Sequence, residues 1–462
     1  MSERPRAVII GGGLAGLSAA VRLARSGVIP TVLEKRPFLG GRAFSFEDPE
    51  TGVEVDNGQH VFVGACTEFR QYVSDIGASG LVNLPRRLDT RVISGSRTAR
   101  LKSSEYLPGP LANIPAVLGY THLSIADRLR TLYGLARVRM ARRLPGGPLE
   151  RETFDSWLRR HAQTETTIKR FWNVIVLPAL NDDISVVSAD AGMMLFQTAL
   201  FGAPENAAIG YSTVGLTKLA SEPARVRIEQ FGGEVNCDSD VKLIEFMGNR
   251  VSCVRKSDGQ AAFGDVYISA LPAAELLAVL PEDLVADRFF SPAATITTSP
   301  IVGVHIWYDR PVMTDTYVAV LDSPVQWVFN VSRMHSRDAL DPATSPGDGQ
   351  HVVISLSGAW QWRDTGKASL QELFVAEMAR VFPRARGAQV TRVLIVKMLD
   401  ATFRVTPGAG QARLPQRTPA PNFFLAGDWT ATGWPSTMES AVRSGNQAAG
   451  HAISYLRSMS LF

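Results

Sequence analysis

Cysteine is scarce in this chain of 462 residues: Cys66, Cys237 and Cys253 are the only three, and none forms a CxxC pair. A sparse, odd count excludes a disulfide framework and fits reduced thiols in a cytoplasmic protein. Zinc-ligand spacing is missing as well, so no metal site is expected. No apolar run approaches the roughly 20 residues of a membrane-spanning helix. The opening Met1-Ser2-Glu3-Arg4-Pro5-Arg6 lacks the basic start, long apolar stretch and cleavage site of a secretory leader. No Lys/Arg-rich run with interleaved aromatics occurs, which argues against nucleic acid. The net charge is only +4, a mild bias that suits bound phosphate or an anionic membrane surface.

What is present is ample apolar material. At 45% hydrophobic residues, the chain can bury more than one ordinary core, so two domains or one interrupted domain are expected. Ala7-Val8-Ile9-Ile10 reads as a buried parallel strand. Gly11, Gly13 and Gly16, with Leu14 and Ala15 between them, form GxGxxG. Leu17 to Arg25 reads as a helix, and Thr31-Val32-Leu33-Glu34 as a second strand with Lys35 just beyond. The first glycine permits the turn, the second admits a pyrophosphate, and the third lets helix pack on strand. The helix N-terminus offers free N–H groups to phosphate. Glu34 can accept hydrogen bonds from ribose hydroxyls. A lone GxGxxG is weak, but strand, turn, helix, strand and acid in order are specific for a dinucleotide.

Two further segments point from nicotinamide to flavin. Gly40-Gly41-Arg42 allows backbone near a cofactor and supplies an arginine for phosphate. Gly427-Asp428, ahead of a C-terminal helix expected over 439–455, supplies an acid for a ribityl chain.

The stretch from Pro108 to Leu200 has helical spacing. Ser124-Ile125-Ala126-Asp127 reads as a capping box. Ile125, Leu129, Leu132, Ala136 and Met140 then follow on one face, taken as apolar, and six arginines crowd the rest. A helix over 124–143 of this kind can rest on anionic lipid at the inner face of the cytoplasmic membrane. Beyond Gly232 short strands return: Val241 to Ile244, Val251 to Val254, Val266 to Ala270, Ile301 to Tyr308 and His351 to Ser357. A helix is expected near Leu370 to Phe382.

Taken together, the glycine turns, Gly40-Gly41-Arg42 and Gly427-Asp428 resemble the flavin amine oxidase and carotenoid desaturase superfamily. The resemblance extends to Val55-Asp56-Asn57-Gly58-Gln59-His60, to Val241, and to Pro435-Ser436-Thr437-Met438-Glu439-Ser440-Ala441. Within it, Asp56-Asn57-Gly58-Gln59-His60, Phe171-Trp172 with Leu180-Asn181, Ala401-Thr402-Phe403 and Gly427-Asp428-Trp429 are most similar to the hydroxysqualene dehydroxylases. Lys397-Met398-Leu399-Asp400 and Arg413-Leu414-Pro415 depart from that pattern.

The resemblance implies an α/β fold: a Rossmann-like FAD domain from residues 1–85, 205–290 and 405–462, interleaved with an α+β substrate domain from 86–204 and 291–404. It implies FAD held without a covalent link by Gly11, Gly13, Leu14, Ala15, Gly16, Glu34, Lys35, Gly41, Arg42, Gly58, Gln59, His60, Val241, Gly427, Asp428, Thr437 and Met438. A flavin thioether would need a cysteine late in the chain, and the last one is Cys253. Met438 N–H is expected to face the flavin ring, His60 to be the catalytic acid, and Asp56 to order the loop through backbone hydrogen bonds. Phe171, Trp172, Asn181 and Phe403 are expected at the substrate, with Phe196, Phe201, Trp327 and Phe329 as further aromatics of a tunnel. The implied reaction is reductive removal of the hydroxyl of hydroxysqualene, a long-chain isoprenoid, to give squalene. A carotenoid-type desaturase is the alternative. A non-catalytic prenyl-binding protein resembling the dissociation inhibitors is the alternative of another class. No second GxGxxG marks a nicotinamide domain, so the electron donor is not legible.

Overall fold

A computed structural model describes residues 4–50, 52–335 and 349–461 of the chain. Its centre is a five-stranded, all-parallel sheet in the order Glu234–Asn236, Ile29–Leu33, Arg6–Ile10, Val266–Ser269, Phe423–Leu425. Ala7 to Ile10 are fully buried, as a strand covered on both faces requires. Ile9 sits between Val32 and Ile268 in register. Strands from the start, middle and end of the chain therefore converge at one sheet.

The N-terminal helix runs Leu14–Arg25, one turn earlier than its periodicity indicates, because Gly13 serves as its N-cap. Its upper face meets the C-terminal helix Met438–Ser458. The two approach so closely that a Cβ on Gly445 would lie 2.2 Å from both Ala15 O and Ser18 Oγ. Ala448, Ala449 and Ala452 continue this small-residue face, all buried.

A second sheet of seven strands lies in the order Val390–Phe403, Thr298–Tyr308, Gln350–Ser357, Trp327–Asn330, Tyr317–Leu321, Asp89–Ser94, Arg97–Lys102. Its pairs are antiparallel except one: Asp89–Ser94 runs parallel to Tyr317–Leu321. Residues 89–102 thus join strands some two hundred positions away. The 14-residue strand Val390–Phe403 has no counterpart in the sequence reading. Its side chains are partly exposed along both faces, so it lacks clean alternation.

Helices between residues 109 and 200 roof this sheet. The arginine-rich helix spans Ile125–Met140, and Ser124 Oγ accepts from Asp127 N at 3.1 Å and donates to the Asp127 carboxylate at 2.8 Å. Its buried residues are Thr131, Gly134, Leu135 and Val138. The stripe Ile125, Leu129, Ala136, Met140 points to solvent, with Leu132 at the boundary. Gly134 decides the orientation: a Cβ there would lie 2.8 Å from Gln163 Nε2 and Trp172 Cζ2, so only that face can descend onto the core. No helix among the described residues is long and apolar enough to cross a membrane.

The crossing of the terminal helices yields a stability test. Gly445→Ala should cost roughly 1–3 kcal/mol by overpacking, lowering the thermal unfolding midpoint. Gly450→Ala, whose Cβ meets nothing nearer than 3.6 Å, should raise it, by up to about 1 kcal/mol of helix propensity. Equal midpoints for the two variants would contradict the packing described.

Candidate functional site

The glycine turn is built from backbone contacts that no side chain could enter. Gly11 has φ +105° and a Cβ on Gly16 would lie 1.9 Å from Gly11 O. The loop after the second strand closes from the other side: Gly40 N donates to Gly12 O at 2.9 Å, and a Cβ on Gly41 would lie 2.9 Å from Gly13 Cα. The N-terminal helix starts here with no side-chain cap and no acid in its first turn. Its first N–H groups and partial positive charge are left for an anion. A backbone cradle next to an uncapped helix start fits a dinucleotide pyrophosphate.

Glu34 is buried beside the cradle. One carboxylate oxygen accepts from Gly12 N at 2.7 Å and the other from Arg36 N at 3.0 Å. Each oxygen keeps a second lone pair for a ligand hydroxyl. Lys35 lines the same cavity and pairs with Glu275 at 2.9 Å. Val241 reaches it from the strand Val241–Met247, whose approach is fixed by Ser239 N donating to Glu34 O at 2.8 Å.

Arg42 and Asp428, expected at phosphate and ribityl chain, are bonded to each other, and Ser436 donates to the second Asp428 oxygen. Arg42 also donates to Ala401 O at 3.2 Å. Gly427 has φ +133° and its N–H donates to Ser444 Oγ at 2.8 Å. Thr437 caps the C-terminal helix through Ser440 N at 3.1 Å, so Met438 is the first helical residue.

Asn57 stitches the intervening loop, accepting from Phe44 N at 3.2 Å and donating to Arg42 O at 2.9 Å. Asp56 accepts from Ser45 Oγ at 2.7 Å and Leu216 N at 3.0 Å, while burial raises its pKa. Gly58, Gln59 and His60 all line the cavity. His60 Nδ1 lies 2.7 Å from Gly58 O. A carbonyl only accepts, so Nδ1 carries the proton and Nε2 is left as an acceptor. Burial pushes the His60 pKa below the ordinary histidine range. Cys66 also lines the cavity, with its thiol pushed up to about 12 by burial, which keeps it protonated and inert.

The cradle opens directly into an apolar arm, and the two form one cavity of about 1250 Å³. That exceeds the roughly 300–1,000 Å³ of an ordinary small-molecule site. Val92, Leu101, Ile175, Met194, Phe196, Leu200, Ile301, Trp327 and Phe329 line the arm.

Phe171 and Trp172 do not line it. They pack edge-to-face at 5.3 Å in a buried cluster with Phe154 and Phe196, and Trp172 Nε1 donates to Gln163 at 2.9 Å. Apolar spacing cannot tell such a second layer from a cavity wall. Phe201 lies off the cavity too, under Arg139 at 5.9 Å. Phe403 sits 4.7 Å beneath the Arg413 guanidinium and borders a separate small pocket. Asn181 lines the cavity, but its side chain is engaged by Ser299 O, Thr402 Oγ1 and Gly358 N.

Three residues have roles that the sequence reading did not assign. Arg413 donates to the carbonyls of Asp428, Trp429 and Thr430 and so shapes the cofactor-side loop; burial lowers its pKa to about 10. Buried Glu439 accepts from Phe69 N at 2.8 Å and Glu68 N at 3.2 Å, tying the C-terminal helix to the helix Thr67–Asp75. Thr90 lines the arm with a buried hydroxyl that has no protein partner. Only tertiary placement reveals these roles.

Comparison with known proteins sharpens this geometry. The sequence profile of the flavin containing amine oxidoreductase family matches residues 14–453. The chain is 26% identical to a 15-cis-phytoene desaturase of Capsicum annuum, over 96% of this chain and 76% of that protein. It is 25% identical to a zeta-carotene desaturase of Synechocystis sp., over 96% of each. A solved oxidoreductase from Methanosarcina mazei superposes with a TM-score of 0.72 at 18% identity, covering 95% of this chain and 98% of that one.

Glu34 gives the sharpest test of the cradle. Glu34→Ala should weaken FAD retention by roughly tenfold or more, the value of a charge-assisted hydrogen bond, measured by flavin fluorescence titration. An unchanged dissociation constant would place the ribose elsewhere.

Proposed function

The chain belongs to the flavin containing amine oxidoreductase family, and from that premise we propose that it reduces a long isoprenoid, removing the hydroxyl of hydroxysqualene to give squalene. The observation that carries this reading is the continuity of the cavity, in which a dinucleotide cradle opens into an arm lined mainly by apolar side chains. The similarity to desaturases of phytoene and zeta-carotene supports an isoprenoid.

FAD is the cofactor, and when bound it supplies two-electron redox chemistry. The chain's own residues do the rest. Leu14, Ala15 and Gly16 N–H groups would hold the pyrophosphate and Glu34 the ribose, with Lys35 and Val241 at the adenine end. Gly41, Arg42, Gly427 and Asp428 would hold the middle of the cofactor; Gly58, Gln59, Thr437 and Met438 would border the ring. Arg42 and Asp428 would exchange part of their mutual bond for cofactor contacts.

Dehydroxylation consumes a hydride and a proton and releases squalene and water. Loss of hydroxide is hard at neutral pH, so the proton is best supplied by a positioned group. Trp327 and Phe329, stacked with centroids 6.1 Å apart, offer aromatic faces to a carbon that turns cationic as the hydroxyl departs. His60 donates a proton from Nε2 only once charged, and burial moves that event to lower pH.

The neutral form of His60 supports a second reading. An Nε2 that accepts at neutral pH suits proton removal, the requirement of a carotenoid-type desaturase running the reaction in the other direction. A prenyl carrier without redox chemistry has no use for the glycine cradle and Glu34.

Two experiments test these readings. The FAD-loaded protein, photoreduced under anaerobic conditions and mixed with hydroxysqualene, should regain its oxidised spectrum in step with squalene found by mass spectrometry. No reaction there, with bleaching of the oxidised protein by a C30 or C40 polyene that still has saturated segments to desaturate, would establish the desaturase instead. The pH profile separates the roles of His60. As the acid, it gives a turnover that rises as pH falls through its lowered pKa, a limb abolished in His60→Gln. A limb of opposite sign would make it the base.

A further inference from the structure

More than half of the large apolar side chains exposed among the described residues lie between residues 106 and 144. Ile125, Leu129 and Met140 are 74%, 58% and 73% exposed, and with exposed Tyr133 and Ala136 they form one continuous stripe along the arginine-rich helix. The short helix Ile114–Leu118 packs beside it, adding exposed Ile114 and Leu118. Arg128 locks the two together, donating to Leu118 O at 2.8 Å and Leu123 O at 3.0 Å. The patch is therefore one rigid surface and not a set of loose side chains.

Its charge is one-sided. Between Tyr106 and Leu144 the sequence holds one acid, Asp127, against six arginines. Asp127 is engaged by Arg130, and Arg143 is held bidentate by Asp190 at 2.8 and 2.9 Å. Arg137, Arg139 and Arg142 have no carboxylate partner among the described residues. Apolar side chains flanked by unpaired guanidinium groups match a bilayer surface carrying negative headgroups: the hydrocarbon part enters the acyl boundary and the arginines meet phosphate. A protein partner would leave three unpaired charges at its rim unless it were strongly acidic.

The surface is bolted to the cavity. Gln197 donates to Val138 O at 2.8 Å and Ala141 O at 2.9 Å, and Asn113 donates to Leu200 O at 3.0 Å. Gln197 and Leu200 belong to the helix Ala189–Leu200, whose Thr198, Ala199 and Leu200 line the apolar arm. We propose that the face formed by residues 106–118 and the helix Ile125–Met140 docks on an anionic bilayer, seating the apolar arm next to the lipid phase. Docking stands on the surface alone; delivery of a lipid substrate through it rests on the function proposed above.

The test uses FAD-loaded full-length protein and sedimentation with vesicles, in the absence of substrate, so that a wrong substrate assignment leaves the result untouched. Phosphatidylcholine vesicles containing phosphatidylglycerol should carry the protein down, and pure phosphatidylcholine should carry far less. Arg137→Gln, Arg139→Gln and Arg142→Gln together should weaken binding to the anionic vesicles by roughly fivefold per arginine. Ile125→Ser with Leu129→Ser should weaken binding to both vesicle types by at least about tenfold. Val226→Ser with Met247→Ser, exposed but outside the patch, should bind as wild type; retention of FAD absorbance confirms that each variant is folded. Three results would overturn the proposal: no sedimentation of the wild type with anionic vesicles, equal loss in the control variant, or a wild-type dimer that Leu129→Ser dissociates, which would assign the face to a second copy of the chain.

Discussion

Direct contact of backbone with backbone at glycine is the constraint on which the rest of this structure depends. Gly16 presses on Gly11 O, and Gly13 on Gly41. At the other end of the chain, Gly445 presses on Ala15 O of the same N-terminal helix. The three contacts bring the first strand, the loop beyond the second and the last helix within reach of one another. Each would be lost with a single methyl group, because the opposing atoms are main chain and cannot rotate away. The cradle is therefore less a loop with a motif than the point where the two ends of the chain are pinned.

Charges buried at this point are all answered, as their desolvation demands. Glu34 takes two backbone N–H groups. Asp428 takes Arg42 and Ser436, and Arg413 spreads its donors over three carbonyls. Glu439 takes two N–H groups from the start of a neighbouring helix and the guanidinium of Arg443 at 2.8 Å. These pairings cross-link elements far apart in sequence, so they fix the shape of the cavity wall before any ligand arrives. The groups kept out of such pairing are of another kind: the uncapped helix start, the Thr90 hydroxyl and the acceptor nitrogen of His60.

Local physics was legible in the sequence and tertiary placement was not. The strand, turn and helix from Ala7 to Arg25 follow from apolar burial and glycine geometry, which a short window contains. The Ser124 cap likewise depends on four residues. Sidedness depends on what lies opposite. The arginine-rich helix has two apolar faces, and the one that turned inward is chosen by Gly134 fitting over Trp172, a contact between residues 38 positions apart. Phe171 and Trp172 were read as cavity wall for the same reason: aromatic residues at core spacing look alike whether they form the first layer or the second. Asn181, expected at the substrate, adopts φ 54° at the end of a helix. Its side chain turns out to hold three segments together.

The inventory of polar groups in the apolar arm also bears on substrate class. An amine enters a buried site as an ammonium ion, and its desolvation must be repaid by a carboxylate or a cage of aromatic faces. Thr437, not an aromatic residue, precedes Met438 at the cavity wall, so such a cage lacks one side. Asp400 is the acid near the arm, and it already accepts from Thr298 Oγ1 at 2.6 Å and remains exposed. Asn181 has no free donor. Neutral His60 offers a hydrogen bond without charge. An ammonium ion in this arm would meet no unengaged carboxylate. The same electrostatic argument that separates this cavity from an amine site also explains why its outer face, rich in unpaired arginine, can afford charge that its interior cannot.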